Sequence, residues 1–257
     1  MACITLTTDF GYEDWFVGTM KGVIVSRHPE TQIIDLNHGV PPGDVRAGAF
    51  SLMAGYRFFP AQTIHTTVVD PGVGSNRPAI AVATKDYFFV APDNGVLSWA
   101  LRGEEIRSVH RLENTDYFLA DISRTFHGRD IFAPIAAAIA DGVPISHFGS
   151  ECQSIEQLDW PDFEIEGDNL HGEVVYIDRF GNAITNLPNA RIDTSLNLRA
   201  HAPFAPACPV VDCYSAVKQG AGAAVPGSSG FLELAVNGGS ASEQIGLITG
   251  SKVTVQR

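Results

Sequence analysis

Along the first 150 residues, short apolar runs rich in β-branched side chains alternate with stretches whose apolar positions recur every three or four residues. That alternation is the mark of β-α-β units around a largely parallel sheet. Residues 3–8 read as a strand that runs into the polar turn Asp9-Phe10-Gly11. An amphipathic helix follows over 14–26, then a strand over 32–36 and a second helix over 44–56, opened by Pro41-Pro42-Gly43. A β-branched run over 63–69 ends at Asp70-Pro71-Gly72. Residues 79–83 and 87–91 read as a hairpin or as neighbouring strands before the turn Asp93-Asn94-Gly95, and 130–140 is the last clear helix.

The pattern changes after residue 150. Residues 150–168 are acidic and aperiodic and contain Pro161, as expected of an interdomain linker. Beyond them, strand-like segments over 171–177, 183–186, 231–236 and 251–256 are separated by Gly, Pro, Ser and Asn. The expected architecture is therefore α/β: an N-terminal α/β domain with a mainly parallel sheet over 1–150, a linker over 151–168, and a smaller C-terminal all-β, barrel-like domain over 169–257. The Ala/Gly/Pro/Ser stretch 219–230 reads as a flexible loop, and no repeat of solenoid type is present.

Charge and composition narrow the function classes. Seventeen Lys and Arg against 29 Asp and Glu give a formal charge of −12, which argues against a nucleic-acid binder with a basic face. The chain is 45% hydrophobic and 18% charged, so it is no disordered segment. Its longest apolar stretch, 131–140, is broken by Pro134 and falls well short of the ~20 residues that span a bilayer. The first residues lack a basic n-region and an apolar h-region, and the expectation is a cytoplasmic protein. Cys3, Cys152, Cys208 and Cys213 show no C-x-x-C spacing, and the eight histidines show neither H-E-x-x-H nor H-x-H, so no metal site is expected.

In open α/β sheets, ligands bind beyond the carboxyl ends of strands, and three segments there hold chemistry. In Thr8-Asp9-Phe10-Gly11, Asp9 is either a turn-capping residue or a ligand acceptor. The glycine-rich loop from Val69 to Pro78 holds Asp70 and Arg77 seven residues apart but lacks the Gly-Lys-Ser/Thr ending of a P-loop. In Thr125-Phe126-His127-Gly128-Arg129-Asp130, His127 is either structural or a base, donor or ligand. The Asp-Phe-Gly and His-Gly-Arg-Asp strings are no kinase signature, since the kinase Gly-rich loop and V-A-I-K strand are missing. No G-x-S-x-G elbow is present either.

Taken together, five motifs in one order identify a resemblance: Thr7-Thr8-Asp9-Phe10-Gly11; Asp70-Pro71-Gly72-Val73-Gly74 with Arg77-Pro78; Ala91-Pro92-Asp93-Asn94-Gly95; the His127 segment; and Ile177 to Asn186. From residue 5 to about 250 the chain resembles the adenosine-forming S-adenosylmethionine (SAM) hydrolases, also called SAM hydroxide adenosyltransferases, relatives of the bacterial fluorinase and chlorinase. The resemblance implies SAM as substrate with no cofactor, and a homotrimer whose sites lie between the N-domain of one subunit and the C-domain of the next. The apolar stretch 203–211 would suit such an assembly. It implies a water site formed by Asp70, Arg77 and His127, a set the halogenating relatives lack. It also implies substrate contacts at Asp9, Asp14, Asn94, Asp178, Phe180, Asn182, Ser228 and the backbone around Asn237. Where the fluorinase carries tryptophans this chain has Gly43 and Ile184, which leaves adenine packing to Phe180 and aliphatic neighbours.

The chemistry fits those residue types. Breaking the C5′–S bond of a sulfonium releases a neutral thioether, so the leaving group needs no acid. Water must be placed in line with the departing sulfur and lose its proton, which carboxylate, guanidinium and imidazole can accomplish together. Three other readings are a halide-dependent adenosyl transferase, a non-catalytic SAM- or adenosine-binding protein, and a structural trimer whose motifs are only turn chemistry.

Overall fold

The strand that opens the chain is also the middle of its first sheet, which explains why five of its six residues are fully buried. The computed structural model describes residues 2–194, 198–202 and 207–256 and divides into two units, Met1–Asp159 and Trp160–Arg257. In the first unit β1 (Cys3–Thr8), α1 (Phe16–Arg27), β2 (Gln32–Asn37), α2 (Val45–Gly55) and β3 (Ile64–Val68) are followed by β4 (Ala79–Thr84), β5 (Phe88–Pro92), α3 (Ser98–Leu101), β6 (Ile106–Arg111) and α4 (Ala133–Ala140). The sheet order is β2-β1-β3-β5-β4-β6, with β2, β1, β3 and β5 parallel and β4 antiparallel to both its neighbours. Central strands of such a sheet are covered on both faces, so β3 is buried throughout despite its sequence IHTTV. One face packs Ile4, Leu6, Ile64 and Val68 against Met20 and Ile24 of α1 and Ile135 of α4.

The expected helices form with local adjustments. The Asp44 side chain accepts from the Ala47 backbone N–H at 2.9 Å and caps α2. The helix expected over 130–140 is regular only as α4, because Gly128–Phe132 forms a wider π-turn and Pro134, which has no N–H to give, sits in the first α-turn. Within the segment expected to link the domains, the Glu156 N–H donates to Asp93 Oδ1 and the Leu158 N–H to Ser98 Oγ, both at 2.8 Å.

The second unit contains β7 (Glu164–Glu166), β8 (Asn169–Ile177), β9 (Ala183–Pro188), β10 (Arg199–His201), β11 (Cys208–Pro209), β12 (Gly222–Pro226), β13 (Phe231–Val236), α5 (Ala241–Ile245) and β14 (Lys252–Gln256). Its strands follow the order β11-β10-β14-β8-β9-β13-β12, and β7 adds to β8. A bridge between Val210 and Ala224 brings the two ends together, so the sheet is barrel-like and nearly closed. This corrects the expectation of a flexible loop over 219–230: residues 222–226 are β12, paired along their length with β13. Small side chains there are core residues, with Ala223, Ala224 and Val225 buried, and sheet pairing overrides their weak strand propensity. Of the apolar stretch 203–211, residues 203–206 lie outside the described residues. Among the described residues no helix is long and apolar enough to cross a membrane.

Candidate functional site

Thr8 and Val68 are register partners at the ends of β1 and β3, so Asp9 and Asp70 leave neighbouring parallel strands at the same edge of the sheet. The chain after Asp70 makes a tight loop and returns at Arg77. Gly74 permits this: its φ is +76°, and a Cβ there would lie 2.2 Å from the Arg124 carbonyl oxygen, so the loop presses onto the segment before His127. Arg77 Nε donates to both Asp70 oxygens, at 2.8 and 3.0 Å, and Nη2 donates to Asp70 Oδ2. Nη2 also contacts His127 Nδ1 at 2.9 Å, and the guanidinium lies 5.4 Å from the Phe132 ring centroid. The pair is well enclosed, with side-chain exposures of 5% for Asp70 and 11% for Arg77. Three residues after His127, the fully buried Asp130 accepts from the Ser123 N–H at 2.8 Å and from Arg129 Nε at 2.6 Å.

A guanidinium has only donors, so the His127 nitrogen facing it must be the acceptor. The neutral imidazole therefore carries its proton on Nε2. Burial, and then the Arg77 cation, hold the His127 pKa below its ordinary value, which keeps that neutral form at physiological pH. The triad thus divides its labour: Arg77 orients both partners, Asp70 offers free lone pairs, and His127 offers one N–H donor.

Asp9, Asp70 and His127 line a cavity of about 240 Å³ whose apolar wall is Phe10, Phe16 and Phe126. The three rings pack with centroids 5.0 to 5.7 Å apart. Asp9 Oδ2 accepts from the Gly43 N–H at 2.7 Å, and burial raises its pKa. Asp14 is exposed in the stretch before α1. Asn94 is turned toward the backbone: Nδ2 donates to the Val69 carbonyl at 2.8 Å and Oδ1 accepts from the Val96 N–H at 3.2 Å, which braces the residue before Asp70. A larger hollow, about 380 Å³, lies at the other end of the sheet and is lined by no Asp, Glu, His, Lys or Arg.

In the second unit Asp178 closes the turn after β8. Its Oδ1 accepts from the Phe180 and Asn182 N–H groups, both at 2.8 Å, and its Oδ2 from Asn182 Nδ2 at 3.1 Å. Gly181 (φ +80°) makes the turn possible and leaves the Phe180 ring 77% exposed. Ser228 is exposed in the turn between β12 and β13, and Asn237 Nδ2 donates to the Val217 carbonyl at 2.8 Å. Ile184 is buried. Among the described residues no group of three or more His, Cys, Asp or Glu is placed to hold a metal ion, and all four cysteines are free.

Sequence reasoning passed over the polar set that meets Thr8 at the end of β1: His38, Asp35 and Lys21. The rule applied to β1 and β3, polar residues just beyond a strand, would have found His38 had it been applied to β2.

An α/β unit whose parallel strands end in an Asp/Arg/His cluster, followed by a barrel-like all-β unit, is the arrangement that the family comparison also finds. Residues 4–149 match the SAM hydroxide adenosyltransferase N-terminal domain and residues 172–254 its C-terminal domain, so the chain belongs to the SAM hydroxide adenosyltransferase family. It is 38% identical to the (R)-S-adenosyl-L-methionine hydrolase of Salinispora tropica, over 98% of this chain and 97% of that one. It is 37% identical to the protein of that name from Thermus thermophilus, covering 98% and 99%. Bacterial fluorinases are more distant, at 26–28%. A crystal structure of an uncharacterized conserved protein from Thermotoga maritima superposes with a TM-score of 0.93 at 36% identity, covering 99% of this chain and all of that one.

Proposed function

We propose that this chain hydrolyses S-adenosyl-L-methionine, in the (R) form that its relatives' names specify, to adenosine and L-methionine. The observation that carries the reading is the Asp70–Arg77–His127 cluster, whose Asp70 and His127 line the cavity while Arg77 binds both. One water attacks C5′ as the C5′–S bond breaks, and the electron pair of that bond goes to sulfur, giving the neutral thioether of methionine. The water oxygen becomes the 5′-hydroxyl of adenosine, and its second proton passes by way of Asp70 to solvent. His127 Nε2–H and the Arg77 cation stabilise the hydroxide character that develops on the water. Asp70 is the proton acceptor in this scheme because neutral His127 has no free lone pair: its Nδ1 is engaged by Arg77 and its Nε2 carries the proton.

Asp9 and Asp14 supply acceptors for ribose hydroxyls and the methionyl ammonium, and Phe180 with Asp178, Asn182, Ser228 and the Asn237 backbone form a second set of contacts. We place the two sets in one site by assembly into a homotrimer. The exposed aromatic side chains Tyr12 and Trp15 of one unit and Phe180 of the other, 65%, 68% and 77% accessible, support this as apolar surface that such an assembly would cover.

The test incubates purified protein with (R)- and (S)-SAM, with and without chloride, and follows adenosine, methionine and 5′-chloroadenosine by chromatography. Adenosine and methionine in equal amounts, faster from the (R) form, is the expected result. Chlorinated product would move the chain to the halide-using branch. SAM binding without product at stoichiometric protein would make it a binding protein.

A further inference from the structure

We propose that His38 is a positioning residue for the nucleoside, acting through Thr8 on the turn that carries Asp9. The inference rests on the reading of Asp9 as a ribose contact. His38 is buried, at 1% exposure, and its Nδ1 lies 2.7 Å from Thr8 Oγ1. Thr8 Oγ1 also accepts from the Phe10 N–H at 3.2 Å. On the far side of the ring, His38 Nε2 lies 3.1 Å from Asp35 Oδ1, and Asp35 Oδ2 accepts from Lys21 Nζ at 2.7 Å. A carboxylate beside Nε2 places the imidazole proton there, leaving Nδ1 as an acceptor for the Thr8 hydroxyl. The contact is off the line of a strong hydrogen bond, so it acts mainly by charge and dipole.

The chain Lys21–Asp35–His38–Thr8 therefore fixes the direction of the Thr8 hydroxyl, whose oxygen in turn holds the Phe10 N–H. Two further bonds complete the frame: the Gly11 N–H donates to the His38 carbonyl at 2.9 Å, and the Gly43 N–H donates to Asp9 Oδ2. The turn that carries Asp9 and the Asp9 carboxylate are thus both held in place. None of these groups belongs to the Asp70–Arg77–His127 cluster, so their loss is expected to reach binding before turnover.

Thr8→Val keeps the side-chain shape and removes the hydroxyl, whereas Thr8→Ser keeps the hydroxyl. Adenosine affinity by calorimetry is read beside KM and kcat for SAM. Thr8→Val is expected to weaken adenosine binding and raise KM by about tenfold, the size of one lost oriented hydrogen bond, with a much smaller change in kcat. Thr8→Ser is expected to stay within about threefold of the parent, within the range of a retained hydrogen bond. Asp35→Asn, at a partly exposed position, gives a smaller loss in the same direction should Thr8→Val not fold. Nitrogen-15 spectra of labelled histidines are expected to show His38 protonated on Nε2. Parental affinity in Thr8→Val, equal loss in both Thr8 variants, a loss confined to kcat, or the opposite tautomer would each overturn the inference. A parent that binds adenosine without hydrolysing SAM would overturn the hydrolase reading and leave this test intact; a parent that hydrolyses SAM but binds no adenosine would overturn this inference and leave the hydrolase reading intact.

Discussion

Asp70 and Asp178 each leave the end of a strand, in different units, yet their carboxylates are used in different ways. Asp70 is bound by a guanidinium that returns from seven residues later, and through it by an imidazole 50 residues from Arg77. Asp178 accepts from residues two and four positions ahead, all within its own turn. The first arrangement orders groups that the chain would otherwise keep apart and leaves donor and acceptor positions facing a cavity. The second shapes the backbone, and what it presents outward is the Phe180 ring. A strand-end aspartate alone therefore says little; the partners of its oxygens separate one tied into a cluster with a guanidinium and an imidazole from one that shapes its own turn. The two ends of the first sheet teach the same lesson, since the larger hollow has no acid or base on its wall.

The largest effect that tests this contrast is on turnover. Asp70→Ala is expected to lower kcat by roughly 10³-fold, the combined scale of a lost proton acceptor and a disordered electrostatic partner. Asp178→Ala is expected to act chiefly on KM. Steady-state kinetics on the two variants compares the regions directly, and full turnover in Asp70→Ala would end the assignment.

Much of the fold was legible because β-branched runs bounded by Gly, Pro and Asp turns end where sheet strands must end. β1, β3 and β13 lie within a residue or two of expectation. Five strands were not legible: the short β7, β10 and β11 and the longer β6 and β12. β6 (IRSVHR) carries charges along an edge, and β12 (GAAVP) resembles a loop by composition and becomes a strand only because β13 pairs with it. At the site, the motifs already held Asp70, Arg77 and His127. They could not show that Arg77 bonds both partners at once, because that depends on a loop pressed against Arg124. Nor could they show that Asn94 faces backbone, or that His38 reaches Thr8 across 30 residues.

A smaller effect sharpens the contrast through pH. Burial and the Arg77 cation both lower the His127 pKa, so the imidazole protonates only below its ordinary value of 6.5. Protonation places a proton on Nδ1 facing Arg77, which abolishes that contact, so kcat/KM is expected to fall on the acid side with its midpoint under pH 6.5. Arg77→Met removes one lowering cause and exposes His127 to an unpaired Asp70, so the imidazole titration followed by NMR is expected to move upward. A midpoint that stays fixed or moves down would mean that Arg77 does not set the state of the histidine.

The smallest effect belongs to the other region. Phe180 is 77% exposed and its backbone N–H is already held by Asp178, so truncating the ring removes little folded-state packing. Phe180→Ala is therefore expected to change stability by no more than about 0.5 kcal/mol, the range for surface positions, as read by thermal melting. Stacking of an aromatic ring on a base contributes about 1–3 kcal/mol, which predicts a KM increase of roughly tenfold or more with kcat nearly unchanged. Phe180→Trp keeps a π-face and is expected to restore most of the affinity. A kcat loss comparable to that of Asp70→Ala would place Phe180 in the reacting centre and erase the division between the two regions. An unchanged KM would instead leave the exposed ring to subunit assembly, and sedimentation of Phe180→Ala would then show a trimer weakened toward monomer.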